Sequence, residues 1–254
     1  MRVVIIGSGN VASVLGRRIL LAGHPIVQLV GRHPGRTALL AGQLGCPYGL
    51  GWAAITPDAE FYLVALSDSA LFAFAADVTL PGKLVAHTAG AVPCNVLLSC
   101  SRHSGVLYPL QSLRKGTDPI PEIPILIDAN DPGDLERIVS FAGTLSDTVR
   151  MADDPTRLKL HLAGVLVNNF TNHLYTQAAA FCEAEGIDFD LLLPLIRETA
   201  GRLSYMHPAE AQTGPAARRD QRTIDTHLKL LNNYKNIREL YKLFTIQIEE
   251  NGIA

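Results

Sequence analysis

Short apolar runs alternate with helix-like segments over the first 150 residues of the chain. The apolar runs lie at residues 2–6, 25–30, 60–66, 83–87, 105–110, 123–129 and 147–151. Helical patterns lie between them at 10–22, 34–44, 69–79, 93–100 and 131–145. Strands that are apolar at every position are typical of a parallel sheet covered on both faces. The pattern therefore predicts a doubly wound, mostly parallel α/β domain over residues 1–152.

The strand-like runs stop near residue 152, and helical patterns continue from there. Residues 153–185 predict one long helix, with Pro155 in its first turn and Gly186 after its end. Residues 188–206 predict a second helix with a kink at Pro194, and residues 219–250 predict one or two more. We therefore expect an all-helical second domain over residues 153–254.

Composition and charge exclude several classes of protein. The 254 residues carry a net charge of −2, so no basic face large enough for nucleic acid is expected. No apolar run approaches the roughly 18 residues that span a bilayer, so we expect a soluble, cytoplasmic protein that does not bind a membrane. The four cysteines form no CxxC pair, which predicts reduced thiols and no metal site. Small molecules, or copies of the chain itself, are the expected partners.

A glycine-rich turn follows the first predicted strand. Gly7, Gly9 and Ala12 form a GxGxxA pattern between a strand and a helix. Such a turn lets a pyrophosphate approach the backbone amides at the helix N-terminus. The alternative is a purely structural glycine turn, but the order of strand, turn and helix favours a dinucleotide site. The predicted contacts are the residues of this turn: Gly7, Ser8, Gly9, Asn10, Val11 and Ala12.

The end of the second predicted strand indicates which dinucleotide binds. It reads Gly31, Arg32 and His33, and no acidic residue stands between Gly23 and Ile55. NAD sites usually have an acidic residue here for the ribose 2′-hydroxyl, whereas an arginine can hold a 2′-phosphate. NADP is therefore the predicted cofactor, with Arg36 or His33 supporting Arg32. The alternative for Arg32 is a solvated side chain at a strand end.

Loops after the later strands are expected to line the same crevice, because ligands bind at the carboxyl ends of parallel strands. Ser67 follows the third predicted strand and suits a backbone contact with the cofactor. Gln111 follows the fifth and could orient a substrate. His87, at the end of the fourth, is either a reacting group or a buried structural histidine. The turn after it is predicted to contact the cofactor through Thr88, Ala89 and Gly90.

Uncharged polar side chains form a stripe on the predicted long helix. At about 100° per residue, His161, Asn168 and Asn172 fall within roughly 40° of one another. A solvent-facing stripe would be rich in lysine and glutamate, so these side chains suit a cleft or a buried network. His161 is then the candidate general acid or base, and the two asparagines are candidate donors to a substrate. A polar contact between domains or subunits, without chemistry, is the alternative.

Five stretches together resemble one known family. They are "IIGSGNVA", "HTAGAVP", "GVLYPLQSL", "LHLAGVLVNNFTNHLY" and "QTGPAARRDQRTIDTHL". The chain resembles bacterial Rossmann-like NADP oxidoreductases with an all-helical C-terminal domain. It is similar in plan to pyrroline-5-carboxylate reductase and to the 6-phosphogluconate and 3-hydroxyacid dehydrogenase superfamily. The helical domain of this chain resembles the C-terminal domain of 6-phosphogluconate dehydrogenase.

The resemblance implies a homodimer formed through the helical domain and a cleft for the nicotinamide. Hydride transfer between nicotinamide and a small carbonyl, imine or hydroxy compound is the expected activity. A non-catalytic NADP-binding sensor and a deazaflavin-dependent NADP oxidoreductase remain the alternatives.

Overall fold

The computed structural model describes residues 1–250. Its contacts divide the chain into two compact units, Met1–Asn168 and Asn169–Ala254. We call them the sheet unit and the helical unit. The division falls later than the predicted boundary at 152, because the first turns of the long helix pack within the sheet unit. Where the helical domain begins along the chain stays a prediction.

Eight strands form the single sheet of the sheet unit, in the order β3-β2-β1-β4-β5-β6-β7-β8. Their bounds are β1 Val3–Ile6, β2 Ile26–Gly31, β3 Tyr48–Leu50, β4 Phe61–Val64, β5 Leu84–His87, β6 Ser104–Pro109, β7 Ile125–Ala129 and β8 Val149–Met151. All neighbouring strands are parallel except β6 and β7, which are antiparallel. This order and direction confirm the predicted fold class. Only the short edge strand β3 was missing from the sequence prediction.

Helices cover the sheet at the predicted places. They are α1 Asn10–Leu21, α2 Pro34–Leu44, α3 Asp68–Asp77, α4 Pro132–Leu145 and α5 Asp154–Gly164. The prediction of a helix over 93–100 was wrong in extent, because only Cys94–Leu97 form a 3₁₀ turn. Asp131 caps α4 by accepting a hydrogen bond from the Gly133 N–H, and Pro132 follows it in the first turn.

The core of the sheet unit lies on both faces of the sheet. Val3 and Ile5 of β1 belong to one buried cluster, and Val4 and Ile6 belong to the other. Successive side chains of a strand point to opposite faces, so an all-apolar strand needs apolar cover on both sides. This two-sided burial is the reason that β1 is apolar at every position.

The reversal at β7 sets the direction of α5. Because β7 and β8 run against β1–β6, the chain leaves β8 on the side of the sheet where β6 begins. Helix α5 starts three residues later and runs back toward the carboxyl ends of β5 and β6. A side chain two turns into α5 therefore reaches the loops where Rossmann folds bind their ligands.

The long helix is continuous but not uniform. A π-helical segment, Val165–Phe170, lies between α5 and α6, which spans Thr171–Ala184. A π turn holds more residues than an α turn, so residues beyond it are rotated from a uniform 100° spacing. The predicted angles of Asn168 and Asn172 relative to His161 therefore need this correction.

The helical unit consists of α6, α7 Leu193–Gly201, α8 Gln221–Leu230 and α9 Lys235–Glu250, with short 3₁₀ turns between them. Pro194 lies in the first turn of α7, so it begins a helix and does not kink one. Within residues 1–250, no helix is both long enough and apolar enough to cross a membrane. The same residues hold no group of three or more His, Cys, Asp or Glu side chains able to bind a metal ion.

Candidate active site

The glycine turn between β1 and α1 has the geometry that a dinucleotide needs. Gly7 has a φ of 123°, and a Cβ there would lie 2.1 Å from the Ala65 carbonyl oxygen, so only glycine fits. At Gly9, by contrast, a Cβ would meet nothing within 4 Å. Gly9 is also the N-cap of α1 and offers no side-chain cap. The turn thus leaves open space in front of the helix N-terminus, where a pyrophosphate can approach the amides.

The end of β2 presents basic side chains to solvent. Arg32 and His33 are exposed, and the Arg32 guanidinium lies 5.9 Å from the centroid of the Trp52 ring. Gly31 is buried, and a Cβ there would come within 2.2 Å of Thr37 Oγ1. The close approach of α2 to the sheet explains Gly31, while Arg32 and His33 remain placed for a phosphate group.

The turn after β5 uses two of its amides internally. The Thr88 N–H donates to the Val64 carbonyl, and the Ala89 N–H donates to His87 Nδ1. The N–H groups of Thr88 and Ala89 are therefore already hydrogen-bonded within the protein. The predicted backbone contacts of this turn with the cofactor would have to use its carbonyl groups or the Gly90 N–H. Ser67 is exposed in the residue before α3, at the neighbouring strand end.

His161 meets the sheet at Tyr108. The hydroxyl of Tyr108, near the carboxyl end of β6, lies 2.9 Å from His161 Nδ1, and the two rings meet edge to face. Gly90 makes this contact possible, because a Cβ there would lie 2.7 Å from His161 Nδ1 and 2.9 Å from Tyr108 Cζ. Three elements therefore converge at one point: the loop after β5, the end of β6, and α5.

A buried arginine fixes α5 to the loop after β5. Arg157 is 1% exposed, and its guanidinium donates to the Val92 carbonyl, the Ala152 carbonyl and Asp154. Asp154 in turn accepts from the Cys94 N–H at 2.8 Å. Buried charges are stable only when paired and hydrogen-bonded, so this cluster holds α5 in one position. His161 lies one turn farther along the same helix.

Burial changes the acid–base behaviour of two groups beside this cluster. Desolvation raises the pKa of the Tyr108 hydroxyl, and the nearby Arg157 charge opposes that rise. Tyr108 therefore stays protonated at neutral pH and can donate to an imidazole nitrogen. Desolvation, with a smaller effect of Arg157, lowers the pKa of His87 to about 4. His87 is thus neutral at pH 7, and its Nδ1 accepts from the backbone.

The other predicted catalytic residues have different surroundings. Gln111 is exposed, its amide nitrogen donates to the Glu122 carbonyl at 2.9 Å, and its oxygen accepts from the Ser112 N–H. Asn168 is exposed in the π segment and is the last residue of the sheet unit, and Asn172 is exposed in the helical unit. Among the four, Gln111 lies two residues beyond the end of β6, and His161 contacts Tyr108 near that same strand end. The roles of Gln111, Asn168 and Asn172 stay predictions.

Sequence reasoning missed Tyr108 and Trp52. Tyr108 stands in the stretch "GVLYPLQSL", three residues before Gln111, and it is a proton-bearing side chain at a strand end. That position was a usable signal. Trp52 lies on a 3₁₀ turn after the unpredicted strand β3, so its contact with Arg32 had no counterpart in the sequence pattern.

Comparisons with known proteins agree with this architecture. Residues 123–248 match a family described as a domain of unknown function, DUF2520. A crystal structure of a "putative NADP oxidoreductase" from Bacteroides fragilis is similar with a TM-score of 0.91 and 38% identity, covering 98% of each chain. No curated protein matches the sequence significantly.

More distant structures share the fold. An imine reductase from Myxococcus stipitatus in complex with NADP+ is similar with a TM-score of 0.65 and 15% identity, covering 98% of this chain and 93% of that one. A 1-pyrroline-5-carboxylate reductase from Streptococcus pyogenes is similar with a TM-score of 0.63 and 12% identity, covering 98% of each chain. The 38% identity over nearly the full length is the decisive match. The chain belongs to the same family as the Bacteroides fragilis protein, the Rossmann-like proteins with an all-helical C-terminal domain that its sequence resembles.

Proposed function

We propose that the protein is an NADP-dependent oxidoreductase that reduces a small carbonyl or imine compound, or oxidises the corresponding hydroxy compound or amine. The observation that carries the proposal is the His161–Tyr108 pair. It lies against the loop after β5, on the side of the sheet where the glycine turn presents its amides. A proton-transfer pair and a dinucleotide turn on the same side are what such a reaction requires.

NADP is the cofactor that both the residues and the relatives favour. Arg32, His33 and Arg36 stand after β2 without an acidic residue nearby, so a 2′-phosphate meets only positive or neutral side chains. The Bacteroides fragilis relative is described as a "putative NADP oxidoreductase", and the Myxococcus stipitatus enzyme was solved with NADP+. The cofactor prediction agrees with these relatives.

The protein's own groups would handle the proton. NADPH, when bound, supplies the hydride for a C=O or C=N carbon. In the neutral pair, the Tyr108 hydroxyl donates to His161 Nδ1, so the imidazole hydrogen resides on Nε2. His161 can then give that proton to the substrate oxygen or nitrogen while Tyr108 passes its hydroxyl proton to Nδ1, and a proton from solvent restores the Tyr108 hydroxyl. Asn168, Asn172 and Gln111 are proposed to orient the substrate through their amides.

Turnover measurements test this role. NADPH consumption should be followed at saturating NADPH against a panel of cyclic imines, 2-oxo acids and 3-oxo acids. On the best substrate, His161→Ala is expected to lower kcat about 10²- to 10⁴-fold, because a positioned proton donor contributes that much. Tyr108→Phe keeps the ring and removes the hydroxyl, so a smaller loss of kcat is expected. His207→Ala replaces an exposed histidine of the helical unit and serves as the control.

Two results would contradict the proposal. If His161→Ala kept full turnover, the proton role of His161 would be excluded. If the wild-type protein bound NADPH but reduced no compound of the panel, the sensor alternative would be favoured, since it needs the cofactor site and no proton donor.

Self-association through the helical unit belongs to the same proposal. Large apolar side chains of this unit are exposed, including Leu191, Leu195, Tyr205 and Leu243. Apolar surface of this extent marks an interface, and a second copy is the partner that the family resemblance implies.

A further inference from the structure

The loop between β6 and β7 is tied along helix α1. We call residues 111–122 the strap. The Arg17 guanidinium donates to the Thr117 carbonyl at 2.8 Å and to Asp118 at 2.9 Å, and Arg18 donates to the Pro121 carbonyl at 3.1 Å. These contacts join segments about a hundred residues apart in sequence. The strap is therefore held against the helix whose N-terminus follows the glycine turn.

The first part of the strap reaches the glycine turn itself. The Lys115 N–H donates to Asn10 Oδ1 at 3.3 Å, and Asn10 is the first residue of α1. Beside this contact lies a cavity of about 230 Å³, lined by Ser8, Ser13, Arg36 and Lys115 among its polar residues. Its remaining walls come from α2 and from Gly116, and no carboxylate lines it.

The cavity has the chemistry of a phosphate subsite. Two residues with cationic side chains and two with hydroxyls line one small space, and these groups can donate charge-assisted or neutral hydrogen bonds. Arg36 lies in the first turn of α2, directly after the strand end where Rossmann folds read the 2′-position of the adenosine ribose. Ser8 is the middle residue of the glycine turn. The space between them is therefore placed for the 2′-substituent.

We propose that Lys115, carried by the strap, binds the 2′-phosphate of NADP together with Arg36 and thereby helps to select NADP over NAD. The proposal rests on the proposed function, because it assigns a residue to that cofactor. The sequence prediction placed this task on the residues after β2 alone. In the structure Arg32 lies over Trp52, while Arg36 shares its cavity with Lys115 from a segment nearly eighty residues away.

Isothermal titration of NADPH and NADH into the wild type, Lys115→Ala and Arg114→Ala tests the assignment. Lys115→Ala is expected to weaken NADPH binding about 10- to 100-fold, the usual contribution of a hydrogen bond to a charged group, and to leave NADH binding unchanged. Arg114→Ala removes the neighbouring positive charge, which does not line the cavity, and should change neither affinity. Adenosine 2′,5′-bisphosphate should show the same loss as NADPH, whereas adenosine 5′-monophosphate should not.

The outcomes separate this proposal from the broader one. Equal weakening of NADPH and NADH by Lys115→Ala would place the lysine on the pyrophosphate and overturn the 2′-phosphate assignment. Unchanged NADPH affinity, or an equal loss in Arg114→Ala, would also overturn it while the wild type still bound NADPH. A wild-type protein that bound neither dinucleotide would instead overturn the proposed function. Arg114 and Lys115 are both exposed, and circular dichroism of each variant checks that its fold is intact.

Discussion

The sheet unit and the helical unit bury apolar side chains to very different extents. In the sheet unit, two clusters on opposite sheet faces are almost fully buried, with Ile5, Phe61 and Phe74 inaccessible to solvent. In the described part of the helical unit, the buried apolar residues are Cys182, Ala216, Ile224 and Leu231. Many of its larger side chains are exposed instead. The sheet unit therefore has a core of its own, whereas residues 169–250 of the helical unit contribute to neither buried apolar cluster and expose much apolar surface.

The difference shows where each unit obtains its stability. Hydrophobic burial stabilises roughly in proportion to the apolar area removed from water. A helix bundle that leaves leucines and phenylalanines exposed gains that stabilisation only when something covers them. The unit that holds the dinucleotide turn is thus expected to be stable alone, and the helical unit is expected to depend on association.

The largest expected effect is on the free energy of unfolding, when a phenylalanine of each unit is replaced by alanine. Phe61→Ala should lower the free energy of unfolding by about 3–5 kcal/mol, because Phe61 is fully buried and its ring centre lies 4.6 Å from that of Phe141. Phe244→Ala, at a side chain that is 40% exposed, should cost less than half as much. Urea unfolding measured by tryptophan fluorescence reports the sheet unit, since Trp52 is the chain's single tryptophan.

Far-ultraviolet circular dichroism of the same samples reports both units. We expect Phe61→Ala to shift the fluorescence transition and Phe244→Ala to leave that transition in place. Equal shifts of the fluorescence transition by the two variants would contradict the contrast between the units.

A second effect is a dependence on pH that belongs to the sheet unit. The pKa of His87 falls from an ordinary 6.5 to about 4 on folding, chiefly through desolvation. Below pH 6.5 the unfolded chain binds a proton that folded His87 does not, so this stabilisation is complete above pH 6.5 and is lost as the pH falls toward 4. The expected loss between pH 7.5 and 4.5 is roughly 2–3 kcal/mol.

His87→Asn keeps a side-chain acceptor for the Ala89 N–H and removes the titration. Its unfolding free energy, followed by Trp52 fluorescence, should fall less between those two pH values than that of the wild type. His207→Asn, at an exposed histidine, should keep the wild-type dependence. The same pH dependence in all three proteins would show that His87 makes no such contribution.

A third effect concerns association of the helical unit. Leu191 is 72% exposed in the helical unit and Leu21 is 76% exposed in the sheet unit, so they form a matched pair. Leu191→Glu should raise the dimer dissociation constant about 100-fold, because it places a charge in an apolar contact. Leu21→Glu should leave it unchanged. Light scattering coupled to gel filtration measures the change from about twice the 27.4 kDa chain mass toward one. A wild-type protein that is monomeric at all concentrations would exclude the dimer.

The sequence was sufficient to predict those parts of the fold in which a local pattern determines the structure. All-apolar strands identified the sheet, and the glycine spacing located the turn at Gly7 and Gly9. It was insufficient where distant segments meet: the approach of Tyr108 to His161 depends on Gly90 and on the direction of α5, which no local pattern encodes. The stripe of His161, Asn168 and Asn172 assumed one period, and the π segment changes that period. The position of Lys115 beside the glycine turn also depends on distant contacts, because Arg17 and Arg18 hold the strap that carries it.

The antiparallel strand β7 limits how this chain can change by insertion or deletion. In an all-parallel sheet, every strand ends at the same edge, where the cofactor turns lie. A helix that follows such a strand would start beside those turns and extend away from them. Here the loss of β7 alone would reverse the direction of α5 and carry His161 to the opposite end of the sheet from Tyr108. With α4 retained, neither β7 nor β8 can therefore be lost alone without reversing the direction of α5.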